Sequence, residues 1–396
     1  MPIRPQSVAA VMPMSLTSQP PFVAPRTVVD ERADILDYRV LDGEEWDRAI
    51  AGFDGVCQEQ LFAYARLRWP GVALEPVLFS QGGRALGGAL VMLQRLPLGL
   101  ATIALVKWGP FLADNRAGAA EGRMAWIIDT LVAEYVDRRG MMVSIMPKVE
   151  ASEDNRVAAM LAERGFRPGV GVKYPLRYVV DVTLDDDTRM AAFGQKWRYN
   201  LRKSLKAGLD FETAAPHEVE RFMALYQAMS ERKLFPDFSG IATVEGLMAM
   251  PEGTARPELF FVRHGEKTVA GAVIFTAGDT ACYLYGATDD AALDLRAGYF
   301  LHWHIIRWLR DNSRAKLYDL GGTDGFAGLH QFKSGMVGEA GHISPLPPVM
   351  NHATHWRAYA MGTAAYKGRE ILTRSRDAVL AARLDLQRRF KRGVKA

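Results

Sequence analysis

The segment Lys316-Leu-Tyr-Asp-Leu-Gly-Gly-Thr-Asp-Gly325 is followed closely by Leu329-His-Gln-Phe-Lys-Ser-Gly335. Leu317 to Leu320 predict a short strand that ends at the glycine pair. Glycines at the end of a strand permit positive φ and a close approach of the backbone, so such a loop can wrap a ligand. An acid, Asp319, and a base, Lys333, lie on either side of it. The pattern fits either a ligand-binding loop or an ordinary exit from a strand of an α/β domain.

The composition is that of a chain with two globular cores. It has 396 residues, of which 49% are hydrophobic, and this length favours two domains over one. A net charge of +4 is too small to indicate nucleic-acid binding by itself. Cys57 and Cys282 match no metal-ligand spacing, and a chain with only two cysteines is not expected to be built on a disulfide framework. With no apolar run of about 18 residues, we expect a cytoplasmic protein.

The order of predicted elements divides the chain into four parts. Residues 1–27 are rich in Pro, Ser and Val and predict a disordered leader. Residues 28–182 predict a mixed α/β unit, which includes a helix over Gly43–Ala51 and a hairpin of Pro76–Ser80 with Ala85–Gln94. Residues 183–345 repeat that order of elements without obvious residue identity, beginning with a helix over residues 187–207. In the tail, residues 346–396, the stretch from Tyr366 to Ala396 holds ten Lys/Arg against three Asp/Glu. It predicts a basic amphipathic helix that packs on the body, a membrane surface or a polyanion.

A basic helix is predicted at Lys196-Trp-Arg-Tyr-Asn-Leu-Arg-Lys-Ser-Leu-Lys206. Its apolar and basic positions recur every four residues: Trp197, Leu201 and Leu205 form one stripe, and Arg198, Arg202 and Lys206 form the next. Like charges at this spacing repel one another, so an anionic partner is a natural compensation. The alternative is a solvated basic face. We favour contact with phosphate groups.

Two aromatic pairs complete the set of candidate residues. Tyr283 and Tyr285 are two residues apart on a predicted strand and are expected to point to one side of it, either toward a polar ligand or into the core. His302 and His304 fall on different faces of the helix that follows. We therefore expect two structural histidines and no metal site.

The chemistry that these residues suggest is acyl transfer. Lys333 offers a donor for a polarised carbonyl or phosphate, and Asp319 offers a group to orient or deprotonate an amine. The sequence has no Gly-x-Ser-x-Gly elbow, no His-Glu-x-x-His and no phosphate-binding Gly-Lys-Ser loop. Hydrolase, zinc-enzyme and NTPase interpretations therefore lose their main support.

Taken in order, these motifs resemble the Fem peptidyltransferases, which carry a tandem pair of GNAT-like acyltransferase domains. The resemblance spans roughly Gln58 to Gly338 and rests on the order and spacing of several short motifs. They are Lys107-Trp-Gly-Pro110, Ile145-Met-Pro147, Lys196 to Lys203 with Gly208, Arg232, Tyr283-Leu-Tyr-Gly-Ala-Thr288, Leu301-His-Trp303, Tyr318-Asp-Leu-Gly-Gly322 and Phe332-Lys-Ser-Gly335.

The resemblance implies that the protein forms amides. An acyl group from aminoacyl-tRNA, or from acyl-CoA as in other GNAT proteins, would pass to an amine of a cell-envelope precursor, with no tightly bound cofactor. Lys333 would stabilise the carbonyl oxygen, and Arg232 and Arg66 would hold a diphosphate of the acceptor. The basic helix would suit a phosphate-rich donor or acceptor. Other expected substrate-binding residues are Tyr283, Tyr285 and Phe332.

The sequence also departs from the family pattern. Pro236-Asp237-Phe238 stands where a tyrosine is expected, the last motif reads Gly335-Met-Val-Gly338, and the second domain has no coiled-coil arm. A polysaccharide-modifying N-acetyltransferase that uses acetyl-CoA is therefore an alternative to an enzyme of peptidoglycan biosynthesis. A non-catalytic protein that binds a polyanion or a membrane surface is another. In every case the C-terminal helix is the candidate contact with the inner face of the membrane.

Overall fold

The computed structural model describes residues 36–115, 120–150, 154–171, 173–233 and 240–393. The predicted leader, residues 1–27, lies outside these ranges. The described part contains two mixed sheets with helices packed against them, which confirms the predicted α/β class. None of its helices combines the length and the apolar composition needed to cross a membrane.

The first half of the chain forms most of the first sheet and its helices. Val132–Arg138 continues the third helix in π-helical geometry, and short 3-10 turns lie at Gln58–Gln60 and Pro97–Gly99. The elements are β1 (Leu36–Val40), α1 (Gly43–Ile50), α2 (Phe62–Arg68), β2 (Ala73–Gln81), β3 (Arg84–Arg95), β4 (Thr102–Lys107), β5 (Phe111–Leu112), α3 (Ala120–Leu131), β6 (Met142–Met146), α4 (Arg156–Glu163) and β7 (Arg167–Pro168).

The second half forms the second sheet and ends in a long helix. Further 3-10 turns lie at Pro216–Glu218 and Ile241–Thr243. The elements are β8 (Leu176–Asp181), α5 (Asp186–Ala192), α6 (Gln195–Ser204), β9 (Leu209–Ala214), α7 (Val219–Lys233), α8 (Val244–Met248), β10 (Glu258–His264), β11 (Lys267–Phe275), β12 (Thr280–Thr288), α9 (Ala297–Asn312), β13 (Leu317–Asp319), α10 (Ala327–Val337), β14 (His342–Pro345), β15 (Met350–His352) and α11 (Trp356–Gly393).

The two sheets exchange strands. The first has the order β1-β2-β3-β4-β6-β15-β7, with β5 paired to β3, and the second has the order β14-β8-β13-β12-β11-β10-β9. β8, which the sequence interpretation placed at the end of the first domain, pairs antiparallel with β13 and β14. β15, which lies within the predicted tail, pairs antiparallel with β6 and β7. Each sheet is therefore completed by a strand from outside its predicted domain.

The two halves also meet through a buried core and an arginine clamp. One cluster of buried side chains joins Cys57 and Trp108 of the first half to Phe275 and Cys282 of the second. Arg314, just before β13, donates hydrogen bonds to the carbonyl oxygens of Ala51, Gly52 and Phe53 after α1. The start of β13 is thereby fixed against the first half.

The helix predicted over residues 187–207 is divided into α5 and α6. Phe193 and Gly194 between them have extended backbone, with ψ of 149° and 145°. Gly194 donates its N–H to the carbonyl oxygen of Gly335, 2.8 Å away. A Cβ atom at Gly194 would lie 3.2 Å from Gly335 Cα, so glycine at this point permits the close approach of α10. The long-range contact between Gly194 and Gly335 therefore ends α5, although the helical pattern of the sequence continues through this point.

Candidate active site

The candidate active site lies where two parallel strands of the second sheet separate. β12 and β13 pair only from Thr280↔Leu317 to Cys282↔Asp319, although β12 continues to Thr288. Beyond Asp319 the chain turns away at Gly321, which has a φ of +79°. The segment Phe332-Lys-Ser-Gly335 after this loop is helical, as part of α10, and places Lys333 under the turn. The separation of the strands leaves an opening at the centre of the sheet.

Asp319 braces the turn where the strands separate. Its Oδ1 accepts a hydrogen bond from the backbone N–H of Gly321 at 2.9 Å. Both of its carboxylate oxygens accept from Arg177 of β8, at 3.1 Å from Nε and 2.8 Å from Nη2. The guanidinium of Arg177 also lies 4.6 Å from the ring centre of Trp108 in the first half. Since its oxygens are engaged in this way, Asp319 is placed to hold the loop.

Lys333 is buried beneath the same turn, with only 6% of the residue exposed. Its Nζ donates to the carbonyl oxygens of Leu320 and Gly322, each at 2.6 Å. Burial lowers the pKa of Lys333 to about 8; the positive charge of Arg177 adds to this effect, and Asp319 and Asp324 oppose it. An ammonium group has three N–H donors, so one remains for a bound carbonyl. The predicted donor at Lys333 is therefore chemically feasible.

Tyr283 and Tyr285 point to opposite faces of the sheet, so the prediction that they share a face is wrong. The cause is a β-bulge: Ile274 pairs with Tyr283 and Val273 with Tyr285, which leaves Leu284 unpaired. The phenol of Tyr283 lies over Gly286, and Lys333 Nζ is 5.9 Å from its ring centre. Tyr283 therefore belongs to the candidate active site.

Tyr285 packs on the other face of the sheet, in the cluster of buried side chains that contains Phe222 and Tyr226. Its hydroxyl lies 3.3 Å from that of Thr243. The Tyr285 hydroxyl and the side chain of Arg68 of α2 both lie beside Gly240, so the two side chains are close to each other. Tyr285 is consequently near the junction of the two halves, away from Lys333.

His302 is buried next to Tyr283 and close to Lys333. Its Nδ1 is 3.2 Å from the hydroxyl of Tyr318, and its ring centre is 5.0 Å from that of Tyr283. Burial, and then the charge of Lys333, lowers the pKa of His302 to about 3. The imidazole is therefore neutral at physiological pH.

A cavity of about 220 Å³ lies on the outer side of α10. The ring of Phe332 stands between it and His302, at 5.6 Å from the imidazole centre. Trp197 Nε1 is buried and has no hydrogen-bond partner among the described residues. The cavity combines the start of α6 with aromatic walls; its lining is Gly194, Gln195, Lys196, Trp197, Tyr299, Gly328, Gln331, Phe332 and Gly335.

The exposed side of α6 is basic, as predicted, but the residues on it are not all those that the stripes predicted. Arg202 and Lys206 are exposed. Neither forms an ion pair with any residue in the described ranges. Arg198 is half-buried and donates to the carbonyl oxygen of Ala191, so it does not share their stripe. Leu205, expected in the apolar stripe, is 44% exposed, because α6 ends at Ser204 and the helical spacing stops there.

The comparisons with known proteins agree with this geometry. Residues 191–334 match the model of the acetyltransferase (GNAT) domain. The structure of FemX superposes with a TM-score of 0.66 at 17% identity, over 83% of this chain and all of FemX (100%). The protein has a Fem-like GNAT fold. Because residues 191–334 form a GNAT domain, the protein is an acyltransferase.

Two further structures share the fold. The C-terminal domain of a putative lysylphosphatidylglycerol synthetase from Agrobacterium fabrum has a TM-score of 0.51 at 14% identity, over 82% of this chain and 96% of that chain. A conserved protein of unknown function from Bacteroides thetaiotaomicron has a TM-score of 0.53 at 10% identity, over 80% of this chain and 98% of that chain. No curated protein sequence matches the chain significantly.

The two arginines predicted to hold a diphosphate lie away from Lys333. Arg232, in the last turn of α7, donates to the carbonyl oxygen of Thr288 at 2.9 Å and pairs with Asp290 at 2.6 Å. Arg66 is exposed on α2, 5.8 Å from the ring centre of Phe62. α2 contacts the 3-10 turn at Ile241–Thr243 and α8, so Arg66 belongs to the junction of the halves. The structure therefore distributes the predicted site residues over four places: the opening between β12 and β13, the face of α6, the end of β12 with Arg232, and the junction of the halves with Arg66 and Tyr285.

The most important residue that sequence reasoning missed is Arg177. It is 142 positions from Asp319 in the chain, and the two residues meet only because β8 is incorporated into the second sheet. Its aromatic neighbour Trp108 belongs to the predicted first domain, so local patterns do not connect it with this site either. A signal did exist for Arg177: an arginine on one predicted strand and an acid on another are candidates for a cross-strand pair. Here the pair is diagonal, because Asp319 lies opposite Val179.

Proposed function

We propose that the protein transfers an acyl or aminoacyl group to an amine of a cell-envelope precursor and so forms an amide. The observation that carries this proposal is the buried ammonium of Lys333 at the point where β12 and β13 separate. Two of its N–H groups donate to backbone carbonyls, and the third is left for a bound substrate. In the reaction, the amine nitrogen attacks the carbonyl carbon, the C–N bond forms and the bond to the leaving group breaks. The proton lost by the amine passes to the leaving sulfur or oxygen.

Lys333 would bind the carbonyl oxygen as it gains negative charge. The two backbone carbonyls hold its Nζ in a fixed position, so little reorganisation is needed when the charge develops. Asp319 and Arg177 are positioning residues in this scheme, because they hold the turn that supplies those carbonyls. Tyr283, with its phenol over Gly286, would form the wall against which the acyl group lies.

The donor would approach along α6 and α10. Acyl-CoA and aminoacyl-tRNA both carry phosphates, and the exposed Arg202 and Lys206 supply positive charge without a carboxylate partner in the described structure. The cavity behind Phe332 supplies aromatic walls and the unpartnered Trp197 Nε1. These features support a phosphate-bearing donor of either kind.

The acceptor would lie toward the junction of the halves. Arg66 and Arg232 are the candidates for its diphosphate, and Tyr285 lies close by. FemX and the lysylphosphatidylglycerol synthetase domain share the fold, and the second of these names denotes a lipid with a phosphate headgroup. We accordingly place this protein in the cytoplasm at the inner face of the membrane, with an acceptor built on a phosphate-linked envelope precursor.

The test is a donor and acceptor screen with the purified full-length protein. Acetyl-CoA and charged tRNA are each incubated with amino-sugar and peptidoglycan precursors, and the amide product is detected by mass spectrometry. We expect product with one donor class, and only in the presence of an amine. If tRNA is the donor, KM for the donor should rise steeply with salt, because several phosphate contacts release counterions. Product from neither donor with any of these amines would overturn the proposal.

Two alternatives are distinguished by the same material. A polysaccharide N-acetyltransferase would use acetyl-CoA with amino sugars and ignore charged tRNA. The charges of Arg202 and Lys206, unpaired within the described ranges, would also serve a polyanion-binding role that is separate from catalysis. Polyanion binding would then be lost on Arg202→Glu together with Lys206→Glu and kept on Lys333→Ala, whereas turnover would be lost on Lys333→Ala.

A further inference from the structure

An exposed leucine turn stands out in the first half of the molecule. In the turn between β3 and β4, Leu98 is 95% exposed and Leu100 is 56% exposed. Leu98 has a φ of 60° and a ψ of 15°, the left-handed region that favours glycine. Neither packing inside the chain nor backbone geometry therefore accounts for leucine at position 98. A contact outside the chain would account for it.

The start of α11 extends this apolar surface. Trp356, the first residue of the helix, is 74% exposed. Leu100 and Trp356 line the same cavity of about 470 Å³, together with Gly140 and Ala358. Single exposed apolar residues are normal on a protein surface, but a contiguous group indicates an interaction site. The group Leu98, Leu100 and Trp356 is called the leucine–tryptophan patch below.

The charges around the patch are basic. Residues 94–101 and 352–369 contain no Asp or Glu, and the next acid along α11, Glu370, is paired with Arg374. They carry four cationic side chains, none of which forms an ion pair with a described residue: Arg95, Arg357, Lys367 and Arg369. The carboxylate of Asp137 approaches the segment and accepts a hydrogen bond from the hydroxyl of Thr354 at 3.0 Å. These four cations, called the basic rim below, complement an anionic surface.

The patch is attached firmly to the first sheet. Tyr359 and Tyr366 of α11 pack on the cluster of buried side chains that contains Met92, Leu105 and Met142. Further along the same helix, Ile371 is 64% exposed and Leu372 is 73% exposed. Exposed leucines and a tryptophan with a basic rim are the features of a protein surface that lies in the interface of an anionic bilayer.

We propose that the leucine–tryptophan patch and the adjoining part of α11 dock on an anionic lipid bilayer. Leu98 and Leu100 would enter the boundary between headgroups and acyl chains, Trp356 would lie at the headgroup level, and the four cations would face lipid phosphates. The patch lies on the first sheet, outside the GNAT domain. The proposal therefore adds a membrane-anchoring surface to the acyl-transfer site and stands whichever donor and acceptor that site uses.

The experiment is co-sedimentation of the full-length protein with phosphatidylcholine vesicles, with or without phosphatidylglycerol. We expect binding to the anionic vesicles, weakened by salt, and little binding to phosphatidylcholine alone. The double variant Leu98→Ser, Leu100→Ser should reduce the partition constant roughly tenfold or more, since leucine burial drives insertion. Leu293→Ser is the matched control, because Leu293 is 72% exposed in the second half. It should bind like the unchanged protein.

Two further measurements make the outcome decisive. Turnover of a water-soluble acceptor should be the same in the double variant and the unchanged protein, since neither leucine lies in the GNAT domain. Sedimentation velocity without lipid tests for a second copy of the chain on the patch. If the unchanged protein ignores anionic vesicles, or the double variant binds them equally well, the proposal is overturned. Self-association that the double variant abolishes, without vesicle binding, would assign the patch to a dimer instead.

Discussion

Replacing Arg177 by leucine should destabilise the protein far more than loss of a surface ion pair would. The guanidinium contacts both carboxylate oxygens of Asp319 at 2.8 to 3.1 Å. Asp319 is 1% exposed, so removal of Arg177 leaves a buried carboxylate with the Gly321 N–H as its remaining described donor. Breaking a buried pair from one side costs about 3–5 kcal/mol.

The matched control is Arg164→Leu. Arg164 also makes a two-pronged pair with an aspartate, Asp129, at 2.6 and 3.3 Å. The Asp129 side chain is 58% exposed, so water replaces the lost contact and the cost should stay below about 1 kcal/mol. The two substitutions therefore separate burial from pairing.

The assay is urea unfolding followed by circular dichroism, with the midpoint converted to a free energy of unfolding. The double variant Arg177→Leu, Asp319→Asn removes the charge that the single variant leaves buried. It should recover a large part of the loss, and the two substitutions should be strongly non-additive. A loss for Arg177→Leu no larger than that for Arg164→Leu would show that the buried Asp319 carboxylate does not depend on Arg177.

The remaining predictions concern charge and packing at the site. The pKa of Lys333 lies near 8 in the folded protein against 10.5 for free lysine; turnover that needs the ammonium should therefore fall as pH rises through about 8, which a pH–rate profile checks. A Cβ at Gly286 would lie 1.5 Å from Tyr283 Oη; Gly286→Ala should cost about 1–3 kcal/mol in urea unfolding, and Tyr283→Leu in the same chain should relieve part of it. Arg202→Glu with Lys206→Glu should raise KM for a phosphate-bearing donor roughly tenfold or more at low salt, with kcat unchanged; an unaltered KM would remove α6 from the donor site.

Local patterns were sufficient to predict much of the fold. The hairpin expected from Pro76–Ser80 and Ala85–Gln94 is present as β2 and β3, because alternation of apolar residues and a Gly82-Gly83 turn are local signals. The helix predicted over Gly43–Ala51 ends within one residue of α1. The mixed α/β class follows from many such elements in order, whereas the acyltransferase fold was implied by the resemblance of several short motifs to the Fem family.

The errors arise where distant parts of the chain decide the outcome. The exchange of β8 and β15 between sheets depends on pairing between segments far apart in sequence, which no local pattern records. The one-residue bulge at Leu284 reverses the direction of Tyr285, since side chains alternate along a strand. The buried pair of Arg177 and Asp319 has the same origin. Lys333 and Asp319 were therefore identifiable from the sequence, whereas the pairing of Asp319 with Arg177 depends on how β8 enters the second sheet.

Whether Lys333 stabilises the negative charge that develops in acyl transfer is decided by the variant Lys333→Met. Methionine keeps an apolar stem of similar length and removes the ammonium. With the donor and amine that give product, single-turnover amide formation should fall roughly 100-fold or more, as for loss of one oxyanion donor. Binding of the donor should persist, and a cooperative unfolding transition should show that the chain still folds. A folded Lys333→Met protein with undiminished turnover would contradict the account.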